Sequence, residues 1–246
     1  MKQGIFEVLS NETLLPGLHR LRLRGDCSAV QRPGQFVNVQ LDGLFLRRPF
    51  SVCGVQGDTL TVVVRCVGRG TERICALRPG DTLDLLTGLG NGFDLSCAGD
   101  RPLLLGGGSG VPALYWSCKT LRDAGSRPIA ALAFRTAAEA FYLDEFQKLG
   151  AQLLVLTEDG SLGARGLAPD ALNMVDFTYL YACGPLPMLA ELDRRCKTDA
   201  QFSLEARMGC GFGACMGCSI QTKVGSQRVC KEGPVFDKEV LLWETL

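Results

Sequence analysis

The sequence predicts a β + α/β fold: an antiparallel β-barrel, then a parallel-sheet α/β domain, then a C-terminal cysteine-rich loop segment. Short alternating runs fill the first part, apolar strands alternate with helices in the second, and four closely spaced cysteines mark the third. We place these domains at residues 1–98, 99–200 and 201–246. The chain of 246 residues is long enough to give the first two parts cores of their own.

Charge and composition narrow the classes of partner. Lys plus Arg and Asp plus Glu are equal at 26 each, so no net charge favours nucleic acid or an anionic membrane. No stretch approaches the roughly 18 to 20 consecutive apolar residues of a membrane-spanning helix. The twelve cysteines lack a disulfide framework, and the chain begins at Met1-Lys2 without an apolar leader. We therefore expect a cytoplasmic protein with no nucleic-acid or membrane partner.

The barrel prediction depends on six alternating segments separated by turn residues. Period-two alternation at this spacing favours strands over helices, and Pro33-Gly34, Gly57-Asp58 and Pro79-Gly80 supply turns. The single histidine, His19, lies in one of these segments and is interpreted as a strand residue without a catalytic role. The segments are IFEVLS, LHRLRLR, QFVNVQL, RPFSVCGV, TLTVVVRCV and DTLDLL.

The first candidate binding element is Arg47-Arg48-Pro49-Phe50-Ser51, at the start of the fourth predicted strand. Arg48 can pair bidentately with a pyrophosphate, and Pro49 fixes the direction in which the strand begins. The backbone at Phe50 or the hydroxyl of Ser51 can reach the polar edge of a planar ring. Taken alone, the element could equally be an ordinary surface strand.

The second candidate element is the strand Val63-Val64-Arg65 with the G-x-G-T turn that follows it. Gly70 and Thr71 in this turn would offer N–H groups and a hydroxyl to a phosphate at the start of a helix. By itself this turn could also be an ordinary surface turn.

The middle part predicts a parallel sheet with helices on both faces, because apolar strands alternate with helical stretches. Ligands of such sheets bind at the carboxyl ends of the strands. The run Gly106-Gly107-Gly108-Ser109-Gly110 and the dipeptide Cys183-Gly184 fall at those ends. The run is not the dinucleotide fingerprint G-x-G-x-x-G, since Val111 interrupts it and no acidic residue follows at the expected strand end. Cys183 could equally be an ordinary buried thiol.

Arg135 leaves the choice of nucleotide open. It follows the second predicted strand of the sheet, where an arginine can meet the 2′-phosphate of NADP. A solvated loop arginine is the alternative, and NAD is our first choice.

The cysteine-rich segment predicts an iron–sulfur site. Cys210, Cys215, Cys218 and Cys230 form a C-x4-C-x2-C-x11-C array, which has the spacing of plant-type [2Fe-2S] ligands. The interspersed glycines suit a backbone that turns its N–H groups toward sulfur. Structural zinc usually takes paired C-x2-C knuckles, of which this array has one, and disulfides would suit a small secreted chain. Both alternatives stay open at this point. The glycines are Gly209, Gly211, Gly213 and Gly217.

Taken together, the two barrel elements resemble the RxYS and GxGT flavin-binding elements of the ferredoxin reductase superfamily, with Phe50 in the aromatic position. The segments GGGSGVPAL, TEDGSLGARG and CGPLPML resemble the nicotinamide-nucleotide domain of the same superfamily. The whole chain resembles the electron-transfer subunits of NAD-dependent (type B) dihydroorotate dehydrogenases, through SLEARMGCGFGACMGC and VCKEGPVF. Subunits of bifurcating ferredoxin:NADP oxidoreductases and of sulfhydrogenases share the domain order. The bifurcating relatives place an aspartate where this chain has Cys210, which favours the dihydroorotate family.

The resemblance implies an oxidoreductase subunit with FAD, a [2Fe-2S] cluster and NAD as co-substrate. It implies FAD contacts from the two barrel elements, pyrophosphate contacts from Gly106 to Gly110, a nicotinamide site near Cys183 and Gly184, and the four cysteines as cluster ligands. A separate FMN-containing catalytic subunit would oxidise dihydroorotate, and electrons would pass through the cluster and FAD to NAD+, in pyrimidine (UMP) biosynthesis. The expected assembly is a heterotetramer of two subunits of each kind, with the glycine-rich cysteine loop facing the partner.

Two other functions remain as alternatives. One is an FAD/[2Fe-2S] diaphorase subunit of a ferredoxin:NADP oxidoreductase or sulfhydrogenase complex. The other is a non-enzymatic redox sensor or zinc-stabilised binding module. The sequence shows no Ser/His/Asp set and no paired carboxylates, so we assign no acid–base catalytic residue.

Overall fold

The computed structural model describes every residue from Met1 to Leu246, in fifteen strands and four α-helices. The strands are β1 (Lys2–Leu15), β2 (Leu18–Arg24), β3 (Phe36–Gln40), β4 (Arg48–Gln56), β5 (Thr59–Arg65), β6 (Thr82–Leu89), β7 (Leu103–Gly107), β8 (Ile129–Phe134), β9 (Gln152–Thr157), β10 (Ala164–Arg165), β11 (Leu180–Cys183), β12 (Ala200–Ser203), β13 (Ser219–Thr222), β14 (Gly225–Arg228) and β15 (Val235–Asp237). The helices are α1 (Arg69–Cys75), α2 (Val111–Asp123), α3 (Leu143–Lys148) and α4 (Leu186–Arg195).

The first six strands close into an antiparallel barrel in the order β1-β2-β5-β4-β3-β6, as the alternating segments predict. Alternation decides which side chains fill it: Val37 and Val39 of β3 point into the barrel core, while Phe36 packs outside it. His19 lies on β2 as expected, with Nδ1 2.9 Å from Asn11 Oδ1.

The second part is a parallel sheet that an antiparallel strand extends, in the order β10-β9-β8-β7-β11-β12-β15. The strand order reverses between β7 and β11, so the loops after these two strands diverge and leave a crevice. Gly106–Gly110 and Cys183-Gly184 lie at that reversal. The sheet therefore places both predicted nucleotide-binding turns at its switch point.

The helix after β8 is shorter than the sequence suggests. The stretch EAFYLDEFQKLG predicts a helix throughout, but α3 has six residues, because Tyr142 adopts a left-handed conformation with φ of 66° directly before it. A non-glycine residue rarely occupies this region and cannot continue a right-handed helix. Of the four helices, none combines the length and apolar character needed to cross a bilayer.

The C-terminal segment lies against both preceding parts. It leaves the sheet after β12 and forms the cysteine loop, residues 204–218, which carries Cys210, Cys215 and Cys218. It then forms the β13–β14 hairpin and returns as β15, antiparallel to β12. One apolar core contains Phe36, Leu86 and Leu89, which lie on barrel strands β3 and β6 but pack outside the barrel core, together with Cys218 and Cys230. The cysteine loop is thereby fixed to the barrel wall and to the sheet edge.

Candidate redox site at the junction of barrel, sheet and cysteine loop

A cavity of about 460 Å³ lies where the three parts meet. The sheet domain contributes Ser109 and Cys183 to its wall. The C-terminal segment contributes Ser203, Leu204, Glu205, Ala206 and Met208. Most of the residues predicted to bind flavin line it, so the structure brings both barrel elements together. These residues are Arg48, Pro49, Phe50, Ser51, Val63, Arg65 and Thr71.

Two of the residues predicted to bind flavin, Val64 and Gly70, do not line the cavity. Val64 is fully buried in the barrel core, so its side chain faces away from the cavity. Gly70 lies under Arg48: a Cβ added at Gly70 would come within 2.8 Å of Arg48 Nε. Glycine at this position lets the guanidinium lie directly against the start of α1. This arrangement of a guanidinium over helical N–H groups fits a pyrophosphate.

Thr71 uses its hydroxyl differently from the sequence-based expectation. The hydroxyl donates to the Gly68 carbonyl at 2.9 Å and accepts N–H bonds from Val67 at 2.8 Å and Gly68 at 3.1 Å. It therefore closes the turn before α1. The N–H groups of the first helical turn, which have no intrahelical acceptor, are the donors that this turn offers to a phosphate.

Cys183, at the end of β11, and Glu205, two residues after the end of the neighbouring β12, both line the cavity. Burial, reinforced by the Glu205 carboxylate, raises the pKa of Cys183 to about 12, so the thiol is neutral at physiological pH. Desolvation by the surrounding protein atoms also raises the pKa of the Glu205 carboxyl above its ordinary value. Sequence reasoning missed Glu205 as a site residue, although it lies inside the motif SLEARM; only the fold brings it to the cavity.

A second cavity of about 480 Å³ adjoins the first, since Arg65 and Ser109 line both. Gly107 and Gly108 form part of its wall, as predicted for a nucleotide-binding turn. Gly106, Gly110 and Gly184 serve close packing: an added Cβ on Gly106 would meet Val111 Cα at 2.9 Å, on Gly110 the Cys183 carbonyl, and on Gly184 the Met188 side chain.

Acidic side chains surround Arg135 in this second cavity. Arg135 Nε donates to Glu139 Oε2 at 3.0 Å, and Glu158 lies on the same wall. The guanidinium of Arg135, which could meet a 2′-phosphate, is thus engaged by a carboxylate of its own chain. Such an environment favours a ribose hydroxyl over a phosphate.

The four cysteines lie as two pairs. The N–H of Cys210 donates to Cys215 Sγ and the N–H of Cys215 to Cys210 Sγ, both at 3.4 Å, while the N–H of Cys230 donates to Cys218 Sγ at 3.4 Å. No three His, Cys, Asp or Glu side chains are arranged around one point as ligands of a single metal ion would be. Two thiol pairs fit a [2Fe-2S] group, in which each iron takes two protein thiolates and shares two sulfides.

Backbone N–H groups surround the Cys210 sulfur. Phe212 and Ala214 add N–H donors at 3.5 and 3.2 Å to the one from Cys215. Partial burial opposes ionisation, but the N–H groups outweigh it and lower the pKa of Cys210 to about 6. A thiolate is the form that binds iron, so the loop stabilises the ligand state of Cys210.

The backbone of the loop explains only some of its glycines. Gly211 and Gly213 have φ of +78° and +94°, as expected for a loop that turns N–H groups inward. Gly209 and Gly217 do not have positive φ, whereas Met216 does, at +61°. Gly209 is limited by space instead, since an added Cβ would lie 3.1 Å from Cys215 Sγ.

Arg228 ties the loop to the hairpin and was not singled out from the sequence. Its Nη1 donates to the Gly213 carbonyl at 2.6 Å, and its Nε donates to Glu232 Oε2 at 2.9 Å. Arg228 thus holds the cysteine loop from one side, while Glu232 fixes the direction of the guanidinium. A lone arginine between Gln227 and Val229 gives no signal of such a role in sequence alone.

Known proteins resemble this chain in both sequence and fold. A family described as "Iron-sulfur cluster binding domain of dihydroorotate dehydrogenase B" matches residues 205–242. A protein of Shouchella clausii (strain KSM-K16) is 38% identical over 96% of this chain and 96% of its own length. A protein of Bacillus caldolyticus is 41% identical over 93% of this chain and 94% of its own length. Both bear the name "Dihydroorotate dehydrogenase B (NAD(+)), electron transfer subunit".

One solved structure superposes closely over nearly the whole chain. It is that of an NADH-dependent reduced ferredoxin-NADP oxidoreductase, described for flavin-based electron bifurcation, with a TM-score of 0.88 and 28% identity. The superposition covers 98% of this chain and 91% of that chain. The barrel, the sheet and the cysteine segment therefore recur together in another redox protein.

Proposed function

This chain belongs to the family of dihydroorotate dehydrogenase B electron transfer subunits, and on that premise we propose that it passes electrons from dihydroorotate oxidation to NAD+. The dihydroorotate would be oxidised on a separate FMN-containing subunit, in pyrimidine (UMP) biosynthesis. In this proposal residues 1–98 hold FAD, residues 99–200 hold the nicotinamide nucleotide and residues 201–246 hold a [2Fe-2S] cluster.

The observation that supports this function best is the continuity of the three candidate sites. The first cavity, assigned to flavin, shares Arg65 and Ser109 with the second, assigned to the nucleotide. Its wall also includes Met208, two residues before Cys210. A ring bound in the first cavity would therefore lie between a nicotinamide and the cysteine loop. When bound, flavin exchanges electrons with nicotinamide as hydride and with an iron–sulfur cluster singly.

The residues of the chain orient these groups and perform no acid–base step. We assign Arg48 and the first turn of α1 to the FAD pyrophosphate, and Phe50 and Ser51 to the isoalloxazine. Gly107 and Gly108 lie where a nucleotide pyrophosphate would approach the β7 turn, next to the neutral Cys183 thiol. The four cysteines would hold the cluster, with N–H donors placed around Cys210 Sγ.

We assign the partner surface to the exposed face of the cysteine loop. Phe212 and Met216 are 44% and 51% exposed there, and Cys215 beside them is exposed as well. Exposed apolar side chains around a redox centre favour a protein partner over solvent. The FMN subunit would dock on this face, and a heterotetramer of two subunits of each kind in the cytoplasm is the expected assembly.

A diaphorase subunit serving a ferredoxin:NADP oxidoreductase or a sulfhydrogenase is the second candidate, because the superposition with the bifurcating enzyme extends over nearly the whole chain. The all-cysteine set favours the dihydroorotate family. Reconstitution with an FMN dihydroorotate dehydrogenase subunit separates the two: NAD+ reduction dependent on dihydroorotate supports the proposal, and a loaded complex without it contradicts the proposal.

An absorption spectrum separates electron transfer from a non-enzymatic module. Flavin bands together with iron–sulfur absorbance, and equal amounts of iron and acid-labile sulfide, are the expected result. A colourless protein containing zinc would contradict the function.

A further inference from the structure

We propose that Asn38 is a positioning residue that fixes the cysteine loop to the flavin-bearing wall of the barrel and thereby sets the reduction potential at Cys210. This inference deepens the proposed function and depends on it. Asn38 was not singled out from the sequence, where it is one polar residue in the alternating strand FVNVQ.

Asn38 is a buried amide at the boundary between barrel and cysteine loop. Its side chain is 1% exposed, and its Nδ2 donates to the Cys210 carbonyl at 3.2 Å. The same residue pairs with Pro49 across β3 and β4, inside the element assigned to FAD. Arg47 Nη1, which also pairs with Asp84 at 2.9 Å, donates to the Asn38 carbonyl at 3.2 Å. A single residue thus connects the flavin strand to the first cluster ligand.

The loop is shaped to receive this amide. Gly211, the residue after Cys210, has φ of +78°, and an added Cβ there would collide with Asn38 Nδ2. Glycine is therefore required at 211 both by its backbone conformation and by the presence of Asn38. The close approach of Asn38 to the Gly211 backbone places this hydrogen bond inside the packed boundary between barrel and loop.

Stability alone does not explain the amide. Asn38 Oδ1 is buried without any hydrogen-bond partner, and an unpaired buried acceptor costs free energy. Leucine has a similar volume and would leave no unpaired oxygen on this side chain. The donor to Cys210 is thus the one contribution of the Asn38 side chain that an apolar residue could not make.

Asn38 contacts the predicted cluster ligand Cys210 through the carbonyl of its peptide group. By holding the Cys210 carbonyl, Asn38 fixes the start of the backbone whose next N–H groups, at Phe212, Ala214 and Cys215, point at Cys210 Sγ. Hydrogen bonds to cluster sulfurs stabilise the more negative, reduced state and raise the potential. Release of this carbonyl would weaken them and lower the potential.

The test is a potentiometric titration of the full-length, cofactor-loaded chain, followed by electron paramagnetic resonance. Asn38→Leu is expected to shift the cluster potential to more negative values and to alter its resonance spectrum. It should also slow cluster reduction by the flavin about tenfold or more, with thermal stability kept. Asn38→Asp replaces the donor with a carboxylate and should lower the potential further than Asn38→Leu, because the added negative charge also disfavours the reduced cluster.

Gln40→Leu is the matched control. Gln40 lies two residues along β3 on the same face, and its Nε2 donates to the carbonyls of Leu41 and Leu44, away from the cysteine loop. The cluster reduction potential of the Gln40→Leu protein should equal that of the wild type. Folded Asn38→Leu and Asn38→Asp proteins with unchanged potential and spectrum would overturn the inference, whereas a wild-type chain that binds no cluster would overturn the proposed function itself.

Discussion

Cys210 and Cys230 show how differently the protein adjusts the thiol pKa within one set of four cysteines. Converging N–H groups lower the pKa of Cys210 to about 6, whereas burial and the neighbouring Cys218 raise that of Cys230 to about 12. A deprotonated thiol is available at one end of the array before iron arrives. Cys230 would give up its proton as metal binds.

Replacement of one buried cysteine should separate the two resident cofactors. Cys218→Ser is expected to abolish iron binding while FAD is retained, because Cys218 lies beside Cys230 and outside the lining of the flavin cavity. Iron, sulfide and flavin analyses of the purified protein measure this. Cys196→Ser is the matched control, since Cys196 is buried near Thr198 and away from the loop. Loss of both cofactors from a folded Cys218→Ser protein would contradict the separation.

The preference for NADH over NADPH should depend on the acidic side chains near Arg135, Glu139 and Glu158. Glu139→Gln removes the carboxylate that engages the guanidinium, so Arg135 becomes free to meet a 2′-phosphate. We expect the ratio of kcat/KM for NADPH over NADH to rise on the order of tenfold, the equivalent of about 1.4 kcal/mol. Steady-state diaphorase kinetics with both nucleotides measure it.

Asp123→Asn is the control for the nucleotide prediction, because Asp123 also forms an i,i+4 pair, with Lys119, but on the exposed side of α2. It should leave the ratio unchanged. An unchanged ratio in Glu139→Gln would show that Arg135 does not meet the nucleotide.

At residue level the sequence identified the residues with a strong chemical signature. The cysteine spacing, Arg48, Ser51 and the β7 glycines were all visible as patterns, and the structure brings most of the predicted flavin-binding residues to one cavity. Asn38 and Glu205 were not visible, because a polar residue in an alternating or irregular stretch is usually solvated. Only the fold, which covers Asn38 with the cysteine loop, distinguishes them.

Among the secondary-structure elements, the β13–β14 hairpin acts as a support for the cysteine loop. Its last residue, Arg228, reaches the Gly213 carbonyl and is fixed by Glu232. Arg228→Lys should speed loss of iron to a chelator by about tenfold or more, since an ammonium cannot reproduce both sets of hydrogen bonds.

The decay of cluster absorbance under chelator measures the effect of Arg228→Lys. Arg194→Lys is the matched control, because Arg194 is an exposed residue of α4 that pairs with Glu191. Equal decay rates in the two variants would show that the hairpin does not stabilise the loop.

The barrel strands were predictable from local patterns, although β1 extends to Leu15, beyond the predicted segment IFEVLS. Six barrel strands were predicted by alternation, and all six form. Outside the barrel, the short strands β10, β13, β14 and β15 were not predicted, and α3 is shorter than predicted. Tyr142 in a left-handed conformation shortens α3, and β15 reaches the sheet edge only after the chain has passed through the cysteine loop and the hairpin. A three-residue strand of this kind has too few residues to show a period.

In the whole molecule, the barrel and the sheet domain are joined by a partly buried ion pair. Arg20 of β2 donates to Glu145 of α3 at 2.8 Å and lies over the Tyr142 ring at 5.8 Å. Arg20→Gln should lower the free energy of unfolding by about 1 kcal/mol, because a partly buried arginine pair is worth more than an exposed one. Urea unfolding monitored by tryptophan fluorescence measures it.

Arg127→Gln provides the comparison, since Arg127 pairs with Asp100 at the surface. It should change stability little. An Arg20→Gln protein as stable as Arg127→Gln would show that the interdomain pair does not hold the two parts together.

We propose that the three sites operate in series between a dihydroorotate-oxidising partner and NAD+. The most direct measurement is NADH formation by the purified chain in complex with the FMN catalytic subunit, with dihydroorotate as the only electron donor. We predict that NADH forms in equal amount to orotate, and that Cys218→Ser abolishes it while dihydroorotate still reduces the partner's FMN. A fully loaded complex that oxidises dihydroorotate with an artificial acceptor but forms no NADH would contradict the account.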